Sequence, residues 1–167
     1  MTVASLFLQE FEQESRTTHR FLERTPEDKL NWRPHEKSMT VGQLALHIAA
    51  APGAIIEMAI QNDVAAPDFS RPAPQPASKA EIMAAFAMSV SAVKTSLPTI
   101  SDAAMQETWR ALRGDKVLFE MPRAAFVRSI LLNHIYHHRG QFGVYLRLLG
   151  AQVPSSYGPS ADETPGG

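Results

Sequence analysis

The stretch that decides the fold is PRAAFVRSILLNHIYHHRGQFGVYLRLLG, residues 122–150. A proline opens it, where the missing amide hydrogen costs a helix nothing, and Gly150 closes it as a C-cap residue. Its inward-facing positions recur at helical spacing: Val127, Leu131, His134, His138, Gln141, Tyr145 and Leu148. We therefore predict one long helix from Pro122 to Leu149 whose core stripe carries two histidines.

Three more long helices are predicted upstream of this one. Residues 3–22 repeat apolar side chains at helical spacing. A second helix begins after the N-cap residue Thr40, and Pro52 in its middle predicts either a kink or a division into two shorter helices. A third helix begins after Ser78, where Glu81 three residues later is typical of a capping box, and it ends at Pro98.

The remaining segments are predicted to be connections. A proline-rich stretch, residues 68–77, forms a long crossover loop. Residues 109–116 form either a short hairpin or an irregular loop, and no other strand pattern is evident. The segment 151–167 is rich in Pro, Ser and Gly and has no regular structure of its own. The predicted fold is therefore all-α, with a four-helix bundle in residues 1–150 and a tail in 151–167.

Composition excludes several classes of protein. Hydrophobic residues make up 44% of the 167 residues, and the formal net charge of −1 lacks the basic excess of a nucleic-acid binder. The absence of cysteine excludes disulfides, a thiolate nucleophile and a cysteine-based zinc site. The acidic N-terminal segment does not resemble a signal peptide, and no stretch approaches the roughly 20 apolar residues of a membrane span. We expect a cytoplasmic protein that contacts no membrane.

Histidines form the strongest candidate site. Residues three or four apart on a helix share a face, so His134 can pair with either His137 or His138. The core stripe favours His138, because His137 lies at its edge. His47 lies in an apolar run of the second helix, where an imidazole needs a partner to offset its desolvation. His19 and His35 lack such surroundings and are predicted to be surface residues.

Three imidazoles from two facing helices can hold a metal ion and leave a coordination position open. That arrangement is typical of a catalytic rather than a structural metal site. Neutral imidazoles suit zinc or nickel, and also iron(II) or cobalt. The sequence thus predicts a divalent metal site formed by His47, His134 and either His137 or His138.

Four segments resemble the DinB-like family of small helical-bundle metalloproteins, which includes bacillithiol S-transferase. They are LNWRP at 30–34, VGQLALHIA at 41–49, HIYHHRGQ at 134–141 and VPSSYGPSADE at 153–163. The resemblance covers most of the chain and is weakest between residues 63 and 120. It implies that the metal ligands are His47, His134 and His138, which excludes His137.

The resemblance also implies an activity, a partner and an assembly. It implies a metal-dependent enzyme that transfers a low-molecular-weight thiol to an electrophile, with a small-molecule substrate and a homodimer. The alternatives are a metal-dependent hydrolase, or a stress-related binding protein with the same site and no turnover. Glu10, Glu14 and Glu57 are weak candidates for a general base, and Arg139 is expected to pair with an acid on the surface.

Overall fold

Four long helices run through the described part of the chain, which in this computed structural model is residues 1–68, 70 and 72–164. They are α1 (Val3–Glu23), α2 (Val41–Ala59), α3 (Lys79–Ser96) and a fourth built from three consecutive pieces. Those pieces are α5 (Arg123–Phe126), a π-helical segment (Val127–Leu132) and α6 (Asn133–Leu148). The predicted helix bounds are confirmed to within a residue or two at each end.

The caps that start and stop these helices follow from local sequence. Thr40 and Gln43 form a complete capping box at the start of α2. Ser78 accepts from the amide of Glu81 at 3.2 Å, although the Glu81 carboxylate accepts from Ala77 rather than from Ser78 itself. Gly150 ends α6 with a φ of 72°, a backbone conformation that glycine adopts without strain. Short 3-10 turns at Glu27–Lys29 and Leu97–Thr99 follow α1 and α3.

Pro52 lies inside a continuous α2, so the division into two shorter helices is wrong. Ser89 of α3 supports the backbone there, because its hydroxyl donates to Ala50 O at 3.1 Å and accepts from Gly53 N at 3.2 Å. A Cβ at Gly53 would lie 2.9 Å from Ser89 Oγ. A glycine beside the proline therefore allows α2 and α3 to pack closely.

A three-stranded sheet corrects the prediction of a purely all-α fold. Strand β2 (Thr108–Arg113) pairs antiparallel with β3 (Lys116–Pro122), and β1 (Asp63–Ala65) adds to β2 in parallel, giving the order β1-β2-β3. The hairpin alternative for residues 109–116 is therefore confirmed. A short helix, α4 (Asp102–Gln106), precedes the hairpin. Trp109 of β2 stacks on Phe126 with ring centroids 3.8 Å apart, which attaches the sheet to one end of the bundle.

The core has two apolar clusters that share the four long helices. One surrounds Phe11, Ile56 and Leu131, and the other surrounds Leu22, Leu44 and Phe142. The predicted crossover loop contains Phe69 and Arg71, which lie outside the described residues, as do residues 165–167.

Two helical stretches are long and apolar enough to cross a membrane, contrary to the expectation from the sequence. They are Val41–Ala59 and Lys79–Thr99. Within the most apolar 18 residues of each stretch, 61% are buried in the first and 28% in the second. Length and composition alone are weak evidence for a span, because the core helix of a helical bundle passes the same test. Helix α2 is such a core helix, since it contacts both α3 and α6.

Candidate metal centre

Three imidazoles meet between α2 and α6. The Nε2 atom of His47 lies 3.2 Å from Nε2 of His134 and 3.2 Å from Nε2 of His138. The Nε2 atoms of His134 and His138 are 3.0 Å apart. The three nitrogens therefore form a nearly equilateral triangle, and the structure brings together the three histidines that the sequence singled out.

Local helix geometry places each ring. His134 and His138 lie one turn apart on α6, so they project from the same face. His47 lies two turns after the N-cap of α2, on the part of that helix that packs against α6. The π-helical segment ends at Leu132, immediately before this pair of histidines. Such segments often occur at functional sites because they shift the register of the helix that follows.

Burial keeps these imidazoles neutral. The pKa of His47 is lowered to about 4, chiefly by desolvation and to a smaller extent by the charge of the neighbouring His138. Desolvation, followed by the charges of His138, His47 and His137, lowers the pKa of His134 to about 4 as well. The pKa of His138 is also lowered, chiefly by desolvation. Neutral imidazole is the form that ligates metals, so the site is ready to bind one at neutral pH.

Hydrogen bonds alone do not satisfy this triangle. Each neutral imidazole offers either one N–H or one lone pair at Nε2, so among three mutually close Nε2 atoms at least two must carry the same group, either two lone pairs or two N–H groups. The Nδ1–H of His138 donates to Gln141 Oε1 at 2.6 Å, which assigns the lone pair of that ring to Nε2. A cation at the centre of the triangle would accept a lone pair from all three rings and so remove the repulsion between like groups.

The spacing fits a divalent transition metal. With metal–nitrogen bonds of roughly 2.0–2.1 Å, nitrogen separations of 3.0–3.2 Å correspond to angles of roughly 90–105° at a shared ion. Those angles lie between the octahedral and the tetrahedral values. Three protein ligands on one side of the ion leave the opposite side for water or substrate.

An apolar groove of about 600 Å³ opens beside the triad, and His47 and His134 belong to its wall. Its floor is a stripe of α2 that includes Ala50, Ala51 and Ala54. No charged side chain lines it among the residues that the structure describes. A space suited to an uncharged molecule therefore adjoins two of the three imidazoles.

The other candidate residues lie elsewhere. His137 is exposed on α6, with its ring centroid 4.7 Å from that of His138, and His19 and His35 are exposed as predicted. The Glu10 carboxylate accepts from Arg128 at 2.6 Å and from the Tyr136 hydroxyl. Burial alone would raise the pKa of Glu10, but these two hydrogen bonds outweigh it and lower the pKa.

Arg139 corrects one prediction, because it is buried rather than on the surface. Its Nη2 lies 2.6 Å from Glu14 Oε2, and both side chains are almost completely buried. The Tyr157 hydroxyl, from the C-terminal tail, donates to the same Glu14 oxygen at 2.8 Å and accepts from Arg139 at 2.7 Å. Both Glu10 and Glu14 are thus held by arginines, and neither lines the groove.

Two contributors to this region were not assigned from the sequence. Gln141 was placed on the core stripe but was given no role, although its position three residues after His138 could have suggested a contact with that ring. Tyr157 lies in the tail, and no local pattern indicates that it reaches α1.

Comparisons with known proteins agree with this architecture. Residues 1–165 match the sequence model of the DinB family. The chain is 30% identical over 161 residues to the uncharacterized protein YrdA of Bacillus subtilis strain 168. The alignment covers 94% of this chain and 89% of that protein.

Two solved structures have a similar fold. A DinB-like protein from Bacillus cereus ATCC 10987 has a TM-score of 0.70 at 25% identity, over 90% of this chain and 95% of that one. The DinB-like protein YjoA from Bacillus subtilis has a TM-score of 0.66 at 16% identity, over 91% and 96%, and so shows the fold alone. With a family match over nearly its whole length, the chain belongs to the DinB family.

Proposed function

We propose that this protein is a metal-dependent enzyme that transfers a low-molecular-weight thiol to an electrophile. His47, His134 and His138 would hold one divalent ion. The observation that carries the proposal is the triangle of neutral Nε2 atoms, 3.0–3.2 Å apart, at the edge of an apolar groove. Zinc and nickel suit three imidazoles best, and iron or cobalt would also fit.

The surroundings of the triad favour thiol transfer over hydrolysis. A metal ion bound there would lower the pKa of a bound thiol and so supply a thiolate at neutral pH. Water attack commonly uses a protein carboxylate as general base, yet no carboxylate lines the groove in the part of the chain that the structure describes. Because the chain has no cysteine, the thiol would come from a cosubstrate.

The residues of the chain have separate tasks in this proposal. Gln141 holds the His138 ring in the tautomer that presents Nε2. The alanines of α2 leave space beside the triad, and the apolar lining excludes water from that space. Arg128 and Arg139 pair with Glu10 and Glu14, so these two carboxylates are engaged in ion pairs rather than available as general bases.

A metal and activity assay with matched variants tests the proposal. Bound zinc, nickel, iron and cobalt are measured by mass spectrometry in the purified, untagged protein and after reconstitution with each ion. Thiol transfer is then followed with monobromobimane as electrophile and cysteine or glutathione as thiol. His138→Ala should lose the metal and the activity. His137→Ala is the matched control, since it removes an exposed neighbouring histidine and should change neither.

Three results would contradict the proposal. Equal metal content in the parent protein and in His138→Ala would exclude the triad as the ligand set. Loss of metal in His137→Ala but not in His138→Ala would identify His137, rather than His138, as the third ligand. Full metal content without turnover of any thiol and electrophile pair would favour a binding protein over an enzyme.

A further inference from the structure

We infer that the groove beside the triad binds the uncharged hydrocarbon part of the electrophile, so that the substrate is an apolar molecule with an alkyl or aryl body. This inference rests on the proposed function and deepens it by naming a substrate class. Its physical basis is the groove, which is formed by side chains of the protein alone.

The groove and the triad are continuous. The floor follows one face of α2, because Ala50, Ala51 and Ala54 lie one and two turns beyond His47 on the same side of the helix. His134 forms the wall on the α6 side, and Ile130 lies one turn before it. A molecule lying along α2 therefore reaches two imidazoles of the triad with one end.

The lining selects against charge. It consists of alanines, aliphatic side chains, Met58 and two prolines, apart from the two histidines. Among the described residues that line the groove, a charged group would lose its hydration without gaining an ionic partner. A volume of about 600 Å³ is in the range that holds a small organic ligand.

A second groove in the molecule gives the comparison. It lies between α1 and α3, has a similar volume of about 630 Å³, and is lined by Glu12, Arg16 and Lys94 among others. That groove suits a polar molecule and touches no residue of the triad. Size alone therefore does not distinguish the two sites, whereas charge and proximity to the triad do.

Titration with n-alkanols from butanol to octanol tests the inference, with calorimetry on both metal-free and zinc-loaded protein. Each additional methylene should tighten binding by about two- to fourfold, because full burial of a methylene is worth about fourfold and the groove is open on one side. The increment should be the same with and without zinc. Failure of metal binding would thus leave this measurement intact.

Two phenylalanine variants locate the binding site. Ala54→Phe fills the groove two turns beyond His47 and should abolish the chain-length increment. Ala87→Phe is the matched control, an exposed alanine on α3 that lines a groove next to the second one and shares Phe86 and Lys94 with it, and should keep the increment. Unfolding by urea checks that both variants fold.

Three outcomes would overturn the inference. An increment that survives Ala54→Phe but is lost in Ala87→Phe would place the hydrocarbon on α3, in the groove that Ala87 lines. Absence of any increment in the folded parent protein would show that the groove does not take a hydrocarbon chain. In metal-free protein, octanoate binding as tightly as octanol would contradict selection against charge.

Discussion

The polar side chains on two faces of helix α6 differ in how far the protein supplies their hydrogen-bond partners. On the face toward α1 and the tail, the buried Arg139 donates four hydrogen bonds, to the Glu14 carboxylate, the Glu14 carbonyl oxygen and the hydroxyls of Thr18 and Tyr157. On the face toward α2, the Nε2 atoms of His134 and His138 have chiefly each other and His47 as neighbours. Buried polar groups in a stable protein are normally paired within the chain. The first face is therefore suited to stability, whereas the three histidines of the second face could hold a metal ion.

The largest expected effect is a loss of stability on the face of α6 toward α1. Arg139→Met leaves the Glu14 carboxylate buried without its cation, so the free energy of unfolding should fall by about 3–5 kcal/mol. Metal content should not change in the folded protein. Urea unfolding and metal analysis measure the two quantities. The double variant Glu14→Leu/Arg139→Met should lose much less, and an equal loss in both would contradict a charge-based origin.

The opposite face should give the metal-free protein a dependence on pH. The pKa of His47 and of His134 is lowered from 6.5 to about 4 in the folded state. The unfolded chain therefore binds more protons between these values, and stability that is complete above pH 6.5 should be lost as the pH falls toward 4.

Urea unfolding in the presence of a chelator, at a series of pH values, measures this dependence. The double variant His47→Gln/His134→Gln should have a flatter profile over the same range. An unchanged profile in that variant would assign the dependence to other groups.

A smaller effect is expected from the hydrogen bond behind His138. Gln141→Ala removes the acceptor for Nδ1–H and should weaken metal binding by about 10- to 100-fold, as the loss of such supporting contacts does elsewhere. Gln141→Glu keeps an acceptor and should retain most of the affinity. Competition with a chromophoric chelator gives the dissociation constants. Asn133→Ala, at an exposed position of α6, is the control, and a similar weakening there would deny Gln141 a specific role.

The smallest effect is expected in the tail. Tyr157→Phe removes the hydroxyl that joins Glu14 and Arg139, and should cost about 1 kcal/mol of unfolding free energy without changing metal binding. Tyr145→Phe is the matched control, because its hydroxyl makes one longer bond of 3.3 Å to the Met39 carbonyl oxygen. A larger loss for Tyr145→Phe would reverse the importance assigned to the two tyrosines.

The helices and the pairing of His134 with His138 could be predicted because both depend on local spacing, whereas His47 was assigned from its apolar surroundings and the family resemblance. Periodic apolar residues define the helices, and the four-residue interval between His134 and His138 places both rings on one face. The choice between His137 and His138 needed the core stripe and the family resemblance. The structure agrees, because His137 is exposed.

Beyond the hairpin alternative for residues 109–116, the sheet could not be predicted, and neither could the Arg139–Glu14 pair. Both depend on contacts between residues that are distant in sequence. Strand β1 alternates in burial but has only three residues, too few for the pattern to be recognised, and β3 is mostly exposed and has no regular alternation. Their hydrogen bonds come from β2, which is distant in sequence from β1. Glu14 and Arg139 are 125 positions apart, and nothing local shows that two such charges meet in the core.

The separation of His47 from its partners has a consequence for the synthesis of the protein. Its partners follow 87 and 91 positions later, so the triangle is absent from every nascent chain that ends before His138. At roughly 5–20 residues per second, several seconds of translation separate the first imidazole from the last. Arg139 and Tyr157 are synthesised later still, and until then the Glu14 carboxylate lacks the hydrogen bonds that these two side chains donate. Completion of the triangle therefore has to wait for α6, and completion of the Glu14 contacts has to wait for the segment that carries Tyr157.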